Sequence, residues 1–286
     1  MPEPKEARAA EISIPRAAFR TIEADGVKMF YREAGPKDAP VVLLLHGYPT
    51  SSHMFRELIP RLATRYHVFA PDYPGFGFTE VPEERDYHYS FEALAKTVGA
   101  FVDALALKHY AIYVFDYGAP VGFRLALAHP ERITAIVSQN GNAYEEGLGD
   151  AWAPIRRYWS EPTPENREVI RRNVLTLAGT RDQYVVGVPN PQSVAPESYT
   201  LDQALLERPG VIDIQLDLFL DYASNVKLYP TFQKYFSRLP SAPARHLGQE
   251  RHFLHPARRR SLSPRHSSRH RPVPRHRPLR PGNARQ

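Results

Sequence analysis

Ile112-Tyr113-Val114-Phe115-Asp116-Tyr117-Gly118-Ala119-Pro120-Val121-Gly122 is the stretch from which the rest of the chain is read. An apolar, β-branched run ends in a single carboxylate, and a glycine follows two residues later. Val121 to Ala128 then continues as an amphipathic segment. This is the sequence form of a strand, a sharp turn and a helix. In a small-x-nucleophile-x-small turn the central side chain stands at the tip, above the carboxyl end of the sheet. Here that side chain is Asp116, and Gly118 permits the close backbone approach. Val114 occupies the position where such turns usually carry their first glycine. The alternative reading is an ordinary strand-to-helix turn in which Asp116 only caps the helix.

Two further motifs bear on that choice. Val41-Val42-Leu43-Leu44-Leu45 looks like a strand buried on both faces, and His46-Gly47-Tyr48-Pro49 closes it. His67 to Ala70 is a second apolar run, entering the turn Pro71-Asp72-Tyr73-Pro74-Gly75-Phe76-Gly77. The His46 and Asp116 motifs lie 70 residues apart. Together the three ordered motifs resemble the α/β-hydrolase superfamily. His-Gly-x-Pro combined with Asp-Tyr-Gly is similar to its epoxide hydrolase and haloalkane dehalogenase branch, whose nucleophile is aspartate. The resemblance implies Asp116 as nucleophile. It also implies an oxyanion hole made by the backbone N–H groups of Tyr48 and Tyr117, with His46, Gly47, Pro49 and Gly118 shaping the two loops.

The 286 residues suffice for one large α/β domain with an insertion. The absence of cysteine excludes a disulfide framework and thiolate metal sites. No metal-ligand spacing such as H-E-x-x-H occurs, and no cofactor is expected. The start of the chain lacks the apolar core of a signal peptide, and no run of about 18 apolar residues suggests a membrane span. A cytoplasmic setting is the default expectation. Net charge is +6, but Arg238 to Gln286 holds 13 arginines, no lysine and one acidic residue, a net +12, which leaves the preceding residues at −6. The body has the composition of a mildly acidic enzyme, and the tail belongs to another class.

In chain order, residues 1–17 read as a loose leader. Ala18 to Ala34 reads as two antiparallel strands around Asp25-Gly26. Strand 41–45 follows, then a helix capped by Ser51-Ser52 and running to Ala63, with Phe55, Leu58, Ile59 and Leu62 inward. Strand 67–70, a helix from Tyr89 to Leu105, the elbow strand 111–115 and its helix, and strand 133–138 complete a mostly parallel sheet with helices on both faces. The core is expected over 18–141. Over 142–236 the alternation stops, and helical stretches Pro164 to Leu177 and Leu201 to Asp221 suggest a helical cap and return segment. The resemblance puts such a cap over the active site; a separate helical domain is the alternative.

An aspartate nucleophile attacks carbon and forms an alkyl ester, which a histidine-activated water then hydrolyses. The dehalogenases resembled here carry a halide-binding tryptophan after the nucleophile, where this chain has Tyr117. The epoxide hydrolases use two cap tyrosines as acids. Tyr222-Ala223-Ser224-Asn225 matches their Tyr-x-x-Asn pattern, and Tyr158 falls where the first tyrosine belongs. Epoxide hydrolysis is therefore the leading expectation, dehalogenation the second, and a small-acyl esterase the third. The substrate is a small molecule in each case. Asn140 stands where some dehalogenases carry an orienting glutamate, and cannot act as that anion.

The fold then needs two more strands, one ending at the acid and one preceding the catalytic histidine. Neither is visible in residues 237–286, an Arg/Pro/His tract whose composition is that of a disordered segment. Read one base later, codons for Gly248 to His255 permit Gly-Lys-Asn-Asp-Ile-Phe-Phe-Ile. Those for Arg275 to Ala284 permit Asp-Thr-Gly-His-Phe-Ala-Leu-Glu-Thr-His. The first resembles the superfamily's acid turn and the second its histidine loop, with Arg251 and Pro278 standing in their places. A frameshift between Ser237 and Pro243 is the expectation, and a genuine basic tail the alternative. Such a tail would bind nucleic acid nonspecifically through its arginines; no specific nucleic-acid partner is expected.

Overall fold

The computed structural model describes residues 15–239. Its strands are β1 (Ala18–Ala24), β2 (Val27–Ala34), β3 (Val41–Leu45), β4 (His67–Pro71), β5 (Tyr110–Phe115) and β6 (Ile133–Gln139). They form one sheet in the order β1-β2-β4-β3-β5-β6. Asp25 and Gly26 both take positive φ (53° and 72°), the turn whose twist suits a two-residue hairpin, and β1 pairs antiparallel with β2 across it. β2 runs antiparallel to β4, whereas β4, β3, β5 and β6 are parallel.

Strand alternation sorts the core into two faces. Leu43, Leu45, Ile112 and Val114 join one apolar cluster with helices α2 (Phe91–Ala104) and α3 (Gly118–Ala128). Leu44, Val68 and Ala70 point the other way, onto Phe55, Ile59 and Ala63. The motifs at Leu45 and Phe115 thus leave adjacent central strands at the same end of the sheet, because Leu45 and Val114 are in register. Among the described residues β6 is the outer strand on this side, with Thr134, Ala135 and Gln139 exposed. No strand after β6 lies within the described residues, and the tail on which the acid and histidine were sought falls outside them, as does the leader before residue 15.

The helices depart from expectation in four places. The helix expected from Ser52 to Ala63 is a short 3-10 turn, Ser52–Phe55, followed by α1 (Leu58–Leu62). Pro60 has no N–H to continue a helix, so it is accepted only in a fresh first turn. Residues 164–177 contain α5 (Pro164–Val174), after which Thr176 caps a new helix, α6 (Leu177–Val185). The segment 201–221 belongs to α7 (Pro196–Leu206) and α8 (Val211–Phe236), separated at Pro209-Gly210 with Gly210 at φ 79°. A further helix, α4 (Ala153–Ser160), precedes them. α8 continues fifteen residues beyond Asp221 and crosses Pro230, held by Phe232 and Phe236 against Phe123 at 5.4 and 4.9 Å between ring centres. Among the described residues no helix is long and apolar enough to cross a membrane.

Candidate active site

The turn between β5 and α3 holds Asp116 at φ 48°, a left-handed conformation that a residue with a Cβ adopts at some cost. Two glycines make room for it. A Cβ on Gly118 would collide with the Leu45 carbonyl, and one on Gly47 would collide with the Asp116 side chain itself. The two loops therefore close on one carboxylate.

The Tyr48 N–H donates to Asp116 Oδ1 at 2.8 Å, and the Tyr117 N–H, at the start of α3, also bonds to the carboxylate. Burial pushes the carboxyl up to about 6, and these two N–H groups act against that rise. The residue keeps part of its surface open, whereas its charge acts on the buried phenols of Tyr48, Tyr73, Tyr117 and Tyr222. Burial, with Asp116 adding to it, raises the Tyr48, Tyr73 and Tyr117 hydroxyls above their ordinary range.

Of the motif residues, His46 is fully buried, and both its ring nitrogens are engaged. Nε2 accepts the Tyr73 N–H at 3.2 Å, so Nδ1 carries the proton and faces the Gly47 carbonyl at 3.1 Å. Burial keeps the imidazole below its usual range and hence neutral. His46 thus braces the loop. Asp72 does the same from the neighbouring turn, accepting from the Ser52 N–H at 2.7 Å and the Phe78 N–H at 2.9 Å. Pro49 follows a cis peptide bond from Tyr48. Among the described residues, the hydrogen bonds to Asp116 come from main-chain N–H groups and none comes from a histidine.

A sheet of these connections, an acidic turn at the tip of a central strand and donors from the loop after β3 together fit one family. The alpha/beta hydrolase fold matches residues 40–202. The chain belongs to the α/β-hydrolase family. It is 52% identical over 232 residues to an uncharacterized hydrolase of Saccharomyces cerevisiae, a match covering 78% of this chain and 79% of that one. It is 37% identical over 116 residues to a haloalkane dehalogenase of Mycobacterium marinum, covering 40% and 39% of the two chains. Among solved structures it is similar to the epoxide hydrolase VrEH1 of Vigna radiata, at 26% identity and TM-score 0.59, covering 76% and 75%. Cfl2 of Burkholderia cenocepacia, at 19% identity and TM-score 0.63 over 78% and 77%, shares the fold.

In this α/β hydrolase the helices after β6 reach the elbow through α8. Phe219 packs on Tyr48 and Tyr117 at 5.1 and 6.2 Å, and Tyr222 lies 5.8 Å from Tyr117 and 5.4 Å from Phe91. Three polar contacts fix the helix there. Asp221 accepts the Phe91 N–H at 2.7 Å, and Asn225 and Ser224 accept from Arg124 at 2.6 and 3.2 Å. The Tyr-x-x-Asn spacing thus has a local meaning: Asn225 docks the turn that presents Tyr222. Trp159 stacks on Tyr222 at 6.0 Å and 3°, its indole N–H donating to the Phe219 carbonyl at 2.7 Å, and Trp152 lies 4.7 Å from Tyr222.

The two expected tyrosines are not brought together. The Tyr158 hydroxyl accepts from Arg167 at 3.0 Å, and Arg167 in turn pairs with Asp213 and Asp217. Those acids lie on a different flank of α8 from Tyr222, since five residues turn a helix through about 140°. The hydroxyl that meets Tyr222 is Tyr229, at 3.4 Å. Its signal was the seven-residue spacing, two helical turns on one face, which an expected helix end at Asp221 hides.

Proposed function

We propose that this chain opens epoxides by attack of the Asp116 carboxylate on carbon, forming an alkyl ester. The observation that carries the reading is the Tyr48 N–H on Asp116 Oδ1 at 2.8 Å in a left-handed turn. It fixes one oxygen and leaves the other to attack. A carboxyl near 6 is about nine-tenths ionised at pH 7, as a nucleophile requires. In the second half-reaction Oδ1 would carry the tetrahedral charge, and the Tyr48 N–H already faces it.

Residues 142–236 act as the cap over a core of residues 18–141, and Tyr222 supplies the proton for the opened ring oxygen. Tyr158 serves as part of the helical wall. No cofactor is needed. Tyr48, Tyr117, Phe219, Tyr222 and Trp152 form an aromatic cluster around the elbow, surroundings that suit an uncharged, apolar epoxide. Ester hydrolysis needs a base that the described residues do not bring to Asp116, so the ester accumulates. Haloalkane dehalogenation is the second reading, favoured by the similarity to the Mycobacterium marinum enzyme. Against it, a halide needs N–H donors, and the Trp159 indole is already committed to the Phe219 carbonyl.

Intact-protein mass spectrometry after incubation with styrene oxide tests the reading. The expected result is one added epoxide mass per chain, mapped to Asp116 and absent from Asp116→Asn. Labelling that persists in Asp116→Asn would remove Asp116 as nucleophile.

A further inference from the structure

Attack turns the Asp116 carboxylate into a neutral ester and leaves its charge on the opened ring oxygen, an alkoxide that must be protonated. Tyr222 is poorly suited to keep that charge. It is 3% exposed, and burial, then Tyr229, raise its hydroxyl far above the ordinary phenol range, and both persist once Asp116 is esterified. Its neighbour is better placed. Tyr229 is 1% exposed and its oxygen accepts from Asn142 Nδ2 at 3.1 Å. Burial raises the Tyr229 phenol, but Tyr222, Asn142 and the charge of Arg156 all favour its ionised form, with Glu145 opposing. The two hydroxyls stand 3.4 Å apart, long for an O–H···O bond and of the kind that tightens when charge develops.

We propose that Tyr229, held by Asn142, is a positioning residue that relays a proton through Tyr222 to the opening epoxide. The inference rests on the epoxide-opening reading above. In the step, the Asp116 oxygen forms a bond to the epoxide carbon, the ring C–O bond breaks and its electron pair stays on oxygen. That alkoxide takes the Tyr222 phenolic proton, and Tyr222 takes the proton of Tyr229. The product is a hydroxyalkyl ester, a neutral Tyr222 and a Tyr229 phenolate. The Tyr222 O–H and the Asn142 N–H donate to this phenolate.

The test compares two leaving groups on the full chain. Asp116 labelling is followed by intact mass spectrometry with 1,2-epoxyhexane, which needs the proton, and with 1-bromohexane, which does not. Tyr229→Phe is expected to slow epoxide labelling about tenfold, a share of the ~10²–10⁴-fold that a positioned acid supplies, and to leave bromide labelling unchanged. Asn142→Ala should act in the same direction. Equal slowing of both reagents, or of neither, overturns the relay. A second measurement does not depend on the chemistry. In protein carrying ¹³Cζ-tyrosine, the Tyr222 resonance, assigned by its loss in Tyr222→Phe, should shift in Tyr229→Phe. A Tyr222 resonance unmoved by that change overturns the pairing even where both reagents label. Failure of both reagents to label the unaltered protein, with the resonance shifted, removes the nucleophile reading and the relay with it, and leaves only a structural hydroxyl pair.

Discussion

At Asp116 burial and hydrogen bonding oppose one another, and burial wins. The unfolded carboxyl titrates near 3.8 and the folded one near 6. Between those values the folded chain holds a proton that the unfolded chain has lost, so stability falls as pH rises from about 4 to about 6 and then levels off. A shift of this size corresponds to about 3 kcal/mol. Asn has no charge to desolvate, and it is one of the residues that tolerate positive φ. Asp116→Asn should therefore melt higher than the parent at pH 7 and the same as the parent near pH 4, by circular dichroism. Equal melting at pH 7 would show that the carboxylate is well solvated. Asp202, also raised to about 6 by burial, keeps its own share of the pH dependence in both proteins. The elbow itself was legible because its constraints are local: a carboxylate at the end of an apolar run, and a glycine where a Cβ would strike Leu45. Asp202 was not legible, since nothing in its surrounding sequence indicates that Tyr184 will donate to it from another helix.

At the scale of elements, the strands were readable from sequence and several helices were not, for different reasons. β3, β4 and β5 are short apolar runs closed by turn residues, and a central parallel strand has no other form. α6 buries only Thr180, so it carries no apolar stripe to detect. α8 runs past the expected end at Asp221 and crosses Pro230, where packing of Phe232 on Phe123 offsets the lost hydrogen bond. The junction of α8 with α3 depends on Asn225, fully buried and bonded to Arg124 at 2.6 Å. Removing that acceptor leaves a half-buried guanidinium short of a partner. Asn225→Ala should lower stability by about 2 kcal/mol, read from the urea midpoint, and should slow epoxide labelling of Asp116 as Tyr222 loses its support. A stability loss with labelling unaltered would mean that α8 docks without Asn225 and that the Tyr-x-x-Asn spacing serves packing alone.

At the scale of the whole molecule, the proposed nucleophile Asp116 lies in the mildly acidic body, and the arginine-rich residues after it differ sharply in composition. Residues 18–236 hold the elbow, the Tyr48 N–H that meets it and the helices that pack on it. Of their six histidines, His46 is engaged in its loop, His67 with Glu33 at 2.8 Å and His129 with Glu131 at 3.5 Å, and none of the six shares a hydrogen bond with Asp116. Residues 240–286 are the other source of such a group, and there the reading one base later permits an acid at the codon of Arg251 and a histidine at the codon of Pro278. A positioned base contributes about 10²–10⁴-fold, and more when it works as one unit with its orienting acid. The chain as written should therefore give one equivalent of bound epoxide and no steady product. A version with the frame restored between Ser237 and Pro243 should release diol continuously, measured by chromatography over many equivalents. In that version, replacing the histidine encoded at the Pro278 codon by glutamine should return the trapped ester. Sustained diol release by the chain as written, abolished by Asp116→Asn, would show that a histidine already present reaches the ester and would overturn the frameshift account of its chemistry.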